Sequence, residues 1–341
     1  DNPLSEDQVG EILAAILTTR QRRQYEAEME LNTALDMGQH GRFRVNVLRQ
    51  RQAPALVIRR IISKIPNFEE LKLPPIFGDL AMEKRGLVLI TGMTGSGKST
   101  TLASMVDYRN QREEGHIITI EDPIEYYHDH KKSVITQREV GVDTDSYAIA
   151  MKNSLRQRPD VILVGEIRDR EVMEQALAIA ETGHLCLATI HTNNSYQAIE
   201  RIVNLFPDDM ANQIRLNLAM NLKAIVSQRL IAGVDKTLVP AVEVMLNQGF
   251  VRELVQSGEI SKIKEVMEQN TSIGMCTFDQ GLLGLFINGL ISEETAIVNS
   301  DKPSEMKIKL QQAKLSASEG GDGEKGSILA GLDTSVISLR D

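Results

Sequence analysis

Four short runs in the middle of the chain are apolar at nearly every position: Gly86–Thr91, Ile117–Ile120, Val161–Val164 and Leu185–Ile190. Strands buried on both faces read this way. Between them apolar residues recur at helical spacing. Leu102, Met105 and Val106 form one set, a stretch over about 145–157 a second, and Val172, Ala176, Ile179 and Ala180, stopped by Gly183, a third. Apolar strands alternating with amphipathic helices predict an α/β domain whose parallel sheet is covered on both faces. Beyond about residue 208 the pattern predicts mostly helix, with one further strand over Leu238–Leu246.

The first 63 residues differ. Ser5 followed by Val9, Ile12, Leu13, Ile16 and Leu17 predicts a capped amphipathic helix. The stretch from Met29 to Ala34, Phe43–Val47 and Leu56–Ile58 read as strands, with a turn at Gly38 and Gly41. Residues 1–63 are therefore expected to form a small α+β unit. Residues 64–75, rich in proline, are expected to link it to a larger domain over 76–315. Residues 316–341 hold five glycines, five acids and two bases, a composition expected of a flexible tail, in which Val336–Leu339 is a candidate docking cluster.

Composition narrows the function. The 341 residues carry a net charge of −9, no Trp and only 4% aromatics. That argues against nucleic acid and against a stacking platform for single strands. Two distant cysteines, Cys186 and Cys276, exclude a disulfide scaffold and fit a reducing compartment. No apolar run approaches the roughly 20 residues of a membrane span.

Gly92-Met93-Thr94-Gly95-Ser96-Gly97-Lys98-Ser99 matches G-x-x-x-x-G-K-[ST] in full, between a predicted strand and a predicted helix. Glycines let the backbone wrap a phosphate with its N–H groups inward, and the helix adds its positive end. Gly92, Thr94, Gly95, Ser96, Gly97, Lys98, Ser99 and Thr100 are the candidate nucleotide ligands, with Lys98 on the β/γ-phosphates and Ser99 on Mg²⁺. The strand Val161–Val164 runs into Gly165-Glu166, which puts a carboxylate where it can hold Mg²⁺ through water. Ile120–Glu125 ends another strand with three carboxylates, and either Glu125 or Glu121 could orient and deprotonate water for ATP hydrolysis. His184 and His191 bracket the strand Leu185–Ile190 and are candidates for a γ-phosphate sensor or hydrogen-bond donor.

In this order these elements resemble the secretion ATPase superfamily, which powers type II secretion and type IV pili. Its Walker A, Asp box, Walker B and His box correspond here to Gly92–Ser99, Thr119–Glu125, Leu163–Glu166 with Arg168, and Gly183–Thr192. Gly41–Asn46, Gly86–Gly92, Glu181–His184 and Gly274–Asp279 look like the pilus retraction branch, the PilT/PilU family. The resemblance implies a RecA-like ATPase domain preceded by a PAS-like domain, here expected to be truncated at its start. It implies Glu125 as the catalytic glutamate over Glu121, Glu166 as the Walker B carboxylate and His184 and His191 as the His-box pair. It further implies a homo-hexamer in the cytoplasm at the inner-membrane pilus base, with a platform protein and a PilT-type ring as partners. The stretch Phe250–Gln256 keeps Arg252 and Leu254 of a retraction motif but ends in Gln where that motif has Arg, which favours the accessory, PilU-type role. A ring also suggests a use for the nine arginines of residues 1–63: Arg44 first, then Arg42 and Arg59, as fingers reaching a neighbour's nucleotide.

Overall fold

Two capping boxes start the N-terminal unit. In the computed structural model, which describes residues 4–61 and 64–319, α1 (Glu6–Ile16) begins at Ser5 and α2 (Thr19–Glu28) at Thr18. Each hydroxyl accepts from the N–H three residues on, whose Gln side chain accepts from the cap's own N–H. The second helix escapes a reading by hydrophobic pattern: among its residues only Tyr25 is buried, so capping rather than an apolar stripe marks it. β1 (Glu30–Asp36), β2 (Arg42–Gln50) and β3 (Ala53–Arg60) form an antiparallel sheet in that order. Val45 and Val47 on one face of β2 are fully buried against Leu13, Leu17 and Tyr25. Strand alternation turns Arg42 and Arg44 to the other face.

The stretch 64–75 lies on the following domain rather than spanning space. Leu73 is buried, the Phe68 ring centroid sits 5.0 Å from that of Tyr108, and Ser104 Oγ donates to the Pro66 carbonyl at 2.7 Å.

From there α3 (Ile76–Ala81), β4 (Gly86–Thr91), α4 (Lys98–Asn110), β5 (Gly115–Glu121), β6 (Ser133–Glu139), α5 (Tyr147–Ser154), β7 (Val161–Val164), α6 (Arg170–Glu181), β8 (Leu185–Ile190), α7 (Ser195–Asn204), α8 (Ala211–Asn221), β9 (Leu222–Ala232) and β10 (Leu238–Leu246) build the RecA-like domain. The sheet order is β10-β9-β4-β8-β7-β5-β6, parallel except for β10 against β9. β4, β7 and β8 are buried at every position, as strands covered by helices on both faces must be.

Two strands lie outside the sequence expectation. β6 is a polar edge strand with only Val134 and Ile135 apolar. β9 occupies 11 residues of the region expected to be helical, and it follows α8 with no glycine or proline between. After β10 come α9 (Phe250–Ser257), α10 (Ile263–Gln269), α11 (Phe278–Ile287), α12 (Glu293–Asn299) and α13 (Pro303–Glu319). The last three pack a second core of Phe278, Leu282, Met306 and Leu310 against Ile231 and Val239 of the β9–β10 pair. α13 runs through residues 316–319, past the expected start of the tail, and the cluster Val336–Leu339 lies outside the described residues. Among the described residues no helix is long and apolar enough to cross a membrane.

Candidate active site

Register brings the predicted loops together. Thr91 of β4 pairs with Ile190 of β8, Val164 of β7 with Ala188 of β8, and Ile120 of β5 with Val164. The carboxyl ends of four adjacent parallel strands thus share one rim, where α/β sheets hold ligands. A cavity of about 540 Å³ opens there, lined by Lys98, Ser99, Glu121, Glu125, Glu166 and His191 among others.

Two glycines of the phosphate loop stand where a side chain would meet its neighbours. Gly92 sits at φ +148°, and a Cβ there would stand 2.4 Å from the Gln228 carbonyl and from Ser96 Oγ. Gly97, at φ +86°, would meet Gln228 Nε2 at 2.9 Å. Gln228 of β9 also accepts from Thr101 Oγ1 at 2.8 Å, so β9 braces the loop and the first turn of α4. Lys98 Nζ donates to the carbonyls of Gly92 and Met93 at 2.8 and 2.9 Å. Burial lowers its pKa, opposed by the charges of Glu166 and Glu125. Ser96 Oγ is buried without a hydrogen-bond partner. A buried cation, an orphaned hydroxyl and a backbone cradle at a helix N-terminus fit a triphosphate. One hydroxyl, Ser99, and one carboxylate, Glu166, suit Mg²⁺, which keeps its waters and takes phosphate oxygens.

The acidic side of the cavity is ordered by hydrogen bonds. Glu166 takes Arg168 Nε at 2.8 Å and stands 3.1 Å from His191 Nε2. Arg168 also reaches Asp122 at 3.2 Å. Glu121 accepts from Thr119 Oγ1 at 2.7 Å and more weakly from Gln137, and burial of its carboxyl pushes its pKa up to about 7. Glu125 is exposed to the cavity. It lies one residue past Ile124, whose N–H is held by Glu139 at 3.1 Å. Tyr126, next in the chain, ties its hydroxyl to Thr100 on α4 at 2.9 Å.

Two of the residues expected at the site lie away from this cavity. His184 is not at the cavity. It precedes β8, where its carbonyl accepts from the N–H of Gly86 at the start of β4, while His191 follows β8. The six-residue strand puts the two about 20 Å apart. Arg44, expected to reach a neighbour's nucleotide, does not line the cavity of its own chain. It sits on β2, and its charge opposes part of the rise that burial gives the pKa of Glu139 in its own chain. Sequence reasoning also missed Gln228, Tyr126 and Glu243. Glu243, buried on β10, accepts from both the N–H and the Oγ of Ser195 at 2.8 Å, pinning the start of α7 and with it the loop from His191. Only Tyr126 had a signal, its position beside Glu125.

Comparison with known proteins agrees with this fold. A relative from Pseudomonas aeruginosa, the type IV pilus ATPase PilU, is 46% identical over 98% of this chain and 87% of its own. PilT of the same organism, a type IV pilus retraction ATPase, is 40% identical over 86% of each chain. The crystal structure of the pilus retraction motor PilT with bound ADP superposes with a TM-score of 0.83, at 41% identity over 89% of this chain and 86% of that one. Residues 18–279 match the family described as Type II/IV secretion system protein, and this chain belongs to that family.

Proposed function

We propose that this chain hydrolyses ATP to drive type IV pilus retraction, as an accessory motor of the PilU kind. The observation that carries the reading is the convergence of Lys98, Glu125, Glu166 and His191 on one cavity at the sheet's carboxyl rim. Identity to PilU over almost the whole chain supports the accessory role, as does Gln256, which shares the exposed face of α9 with Arg252. In this reading the motor is a homo-hexamer at the cytoplasmic face of the inner membrane, working with a PilT-type ring and a platform protein.

The loop amides and Lys98 bind and orient the phosphates. Mg²⁺, held by Ser99 and through water by Glu166, would draw charge from the phosphate oxygens. Glu125 positions water and takes its proton. Glu121, with its carboxyl pushed up to about 7, sits behind it as a half-buried neighbour whose proton can be shared with the site.

The test pairs hydrolysis with nucleotide affinity. Lys98→Ala should lose both. Glu125→Gln should lose about 10²–10⁴-fold in turnover and keep its affinity, since general-base help is worth that much. Glu121→Gln should lose less. A dead Glu121→Gln beside an active Glu125→Gln would reverse the assignment of the base. Native mass of the same samples reports the ring. Twitching of a strain lacking its own PilU-type motor, with and without PilT, separates the accessory from the primary role.

A further inference from the structure

β2 of the N-terminal unit touches the loop that carries Glu125 in its own chain, two residues past that carboxylate. Beyond it, the Arg42 guanidinium lies 3.9 Å from the centroid of the Tyr127 ring. Before it, Ile124 donates its N–H to Glu139, the last residue of β6, a carboxylate only 8% exposed. Asp143 and Asp122 face Glu139 with like charge, and Asp143 accepts from its backbone N–H at 2.9 Å. Burial raises the Glu139 pKa, and Arg44 of β2 is the positive charge that opposes the rise. Arg42 and Arg44 are two residues apart and so share the face of β2 turned away from Val45 and Val47. Arg44 is also directly opposite Arg59 on β3, a like-charge pair that costs stability unless acids answer it.

We propose that Arg42 acts within its own chain as a positioning residue, clamping the loop that carries Glu125 so that rotation of the N-terminal unit loosens the loop and its carboxylate together. The clamp rests on the reading of Glu125 as the water-positioning group. It gives the N-terminal unit a direct mechanical hold on the step that consumes ATP. It also replaces the expectation of a trans finger at Arg42, since a guanidinium stacked on Tyr127 is already engaged at home.

The experiment measures kcat, KM for ATP, affinity for a fluorescent ADP analogue and melting temperature on the intact chain. Arg42→Ala and Tyr127→Ala should each lower kcat on the order of 10- to 100-fold, the scale of a misplaced catalytic group. KM and analogue affinity should stay within about twofold, as for loss of a purely transition-state interaction. The double variant should match the worse single, because the two side chains act on each other. Tyr127→Phe keeps the ring and should recover most of the turnover lost in Tyr127→Ala. Arg42→Ala subunits mixed with Lys98→Ala subunits should show no recovery in rings proven mixed by mass. Recovery there would establish a trans role and overturn the clamp. Wild-type kcat in Arg42→Ala and Tyr127→Ala, beside an inactive Glu125→Gln, would overturn the clamp and leave the assignment of Glu125 standing. An active Glu125→Gln would remove the reading beneath the clamp, and the clamp with it.

Discussion

His191 Nε2 stands 3.1 Å from Glu166 Oε1, joining the loop after β8 to the carboxylate after β7. Burial and the nearby charge of Lys98 lower the imidazole's pKa, with Glu166 pulling the other way. A neutral ring with its proton on Nε2 donates to Glu166 and keeps that carboxylate aimed into the cavity.

Removing this donor should cost on the order of 10²-fold in turnover, the scale seen when a preorganised donor is lost. His191→Ala is the variant, and kcat for ATP the measurement. His184→Ala should stay within about twofold of wild type, because a strand's length of about 20 Å separates it from the cavity. Equal losses in both would place chemistry at the opposite end of the sheet.

The glycines of the phosphate loop are not equivalent. A Cβ at Gly92 would lie 2.4 Å from the Gln228 carbonyl, and backbone cannot step aside. Gly95, at φ +81°, has open space around it. Gly95→Ala should therefore cost only its left-handed conformation, about 1–2 kcal/mol. Gly92→Ala should exceed about 4 kcal/mol or abolish nucleotide binding. Melting temperature and analogue affinity on the two variants decide it.

Glu121 makes stability depend on pH. Its pKa rises from 4.5 to about 7 through burial, so the folded chain favours the protonated carboxyl. Ionisation then costs stability as pH climbs from 4.5 to about 7, and the whole cost remains above that. Its ceiling is about 3 kcal/mol at 1.36 kcal/mol per unit. Glu121→Gln should raise the melting temperature at pH 8 and leave it unchanged at pH 4.5. His128 has the opposite slope. Burial lowers its pKa from 6.5 to about 4, so its stabilising neutral form is lost as pH falls through that window. The two offset each other in the wild type, and Glu121→Gln should show the steeper rise between pH 4.5 and 6.5.

Asn247 stands just past β10 and is buried, its Nδ2 within 2.9–3.2 Å of the carbonyls of Leu218, Ala219 and Leu222. Those carbonyls belong to the last turn of α8 and the first residue of β9. Asn247→Ala leaves them without that donor in a dry site. The expected loss is about 2–4 kcal/mol, read from the shift in denaturant midpoint.

Much of the site was legible in the sequence because its chemistry is local. Gly92–Ser99 needs only consecutive residues to make an anion cradle. Glu166 and Glu125 announce themselves as acids where an apolar run ends. The four strands Gly86–Thr91, Ile117–Ile120, Val161–Val164 and Leu185–Ile190 were readable because burial on both faces leaves no polar position to disguise them. β6 was not, since an edge strand needs few apolar residues, and neither was α2, which is held by its cap.

By itself the sequence determined a P-loop α/β domain, its nucleotide cradle and the acids beside it. Only the tertiary structure placed the cavity at the end of β8 that His191 follows. A parallel sheet has one rim for ligands, and His184 and His191 lie at opposite ends of the same strand. The tertiary structure also decided that the chain leaves helix for strand at Leu222, where no breaker stands. The carbonyls at that junction find their donor in Asn247, 25 residues or more along the chain, and a hydrogen bond across that distance exists only once β10 has come back beside β9. It placed Arg42 on Tyr127 in the same way: strand alternation fixes the face that Arg42 shares with Arg44, but what that face meets depends on where the N-terminal unit comes to rest.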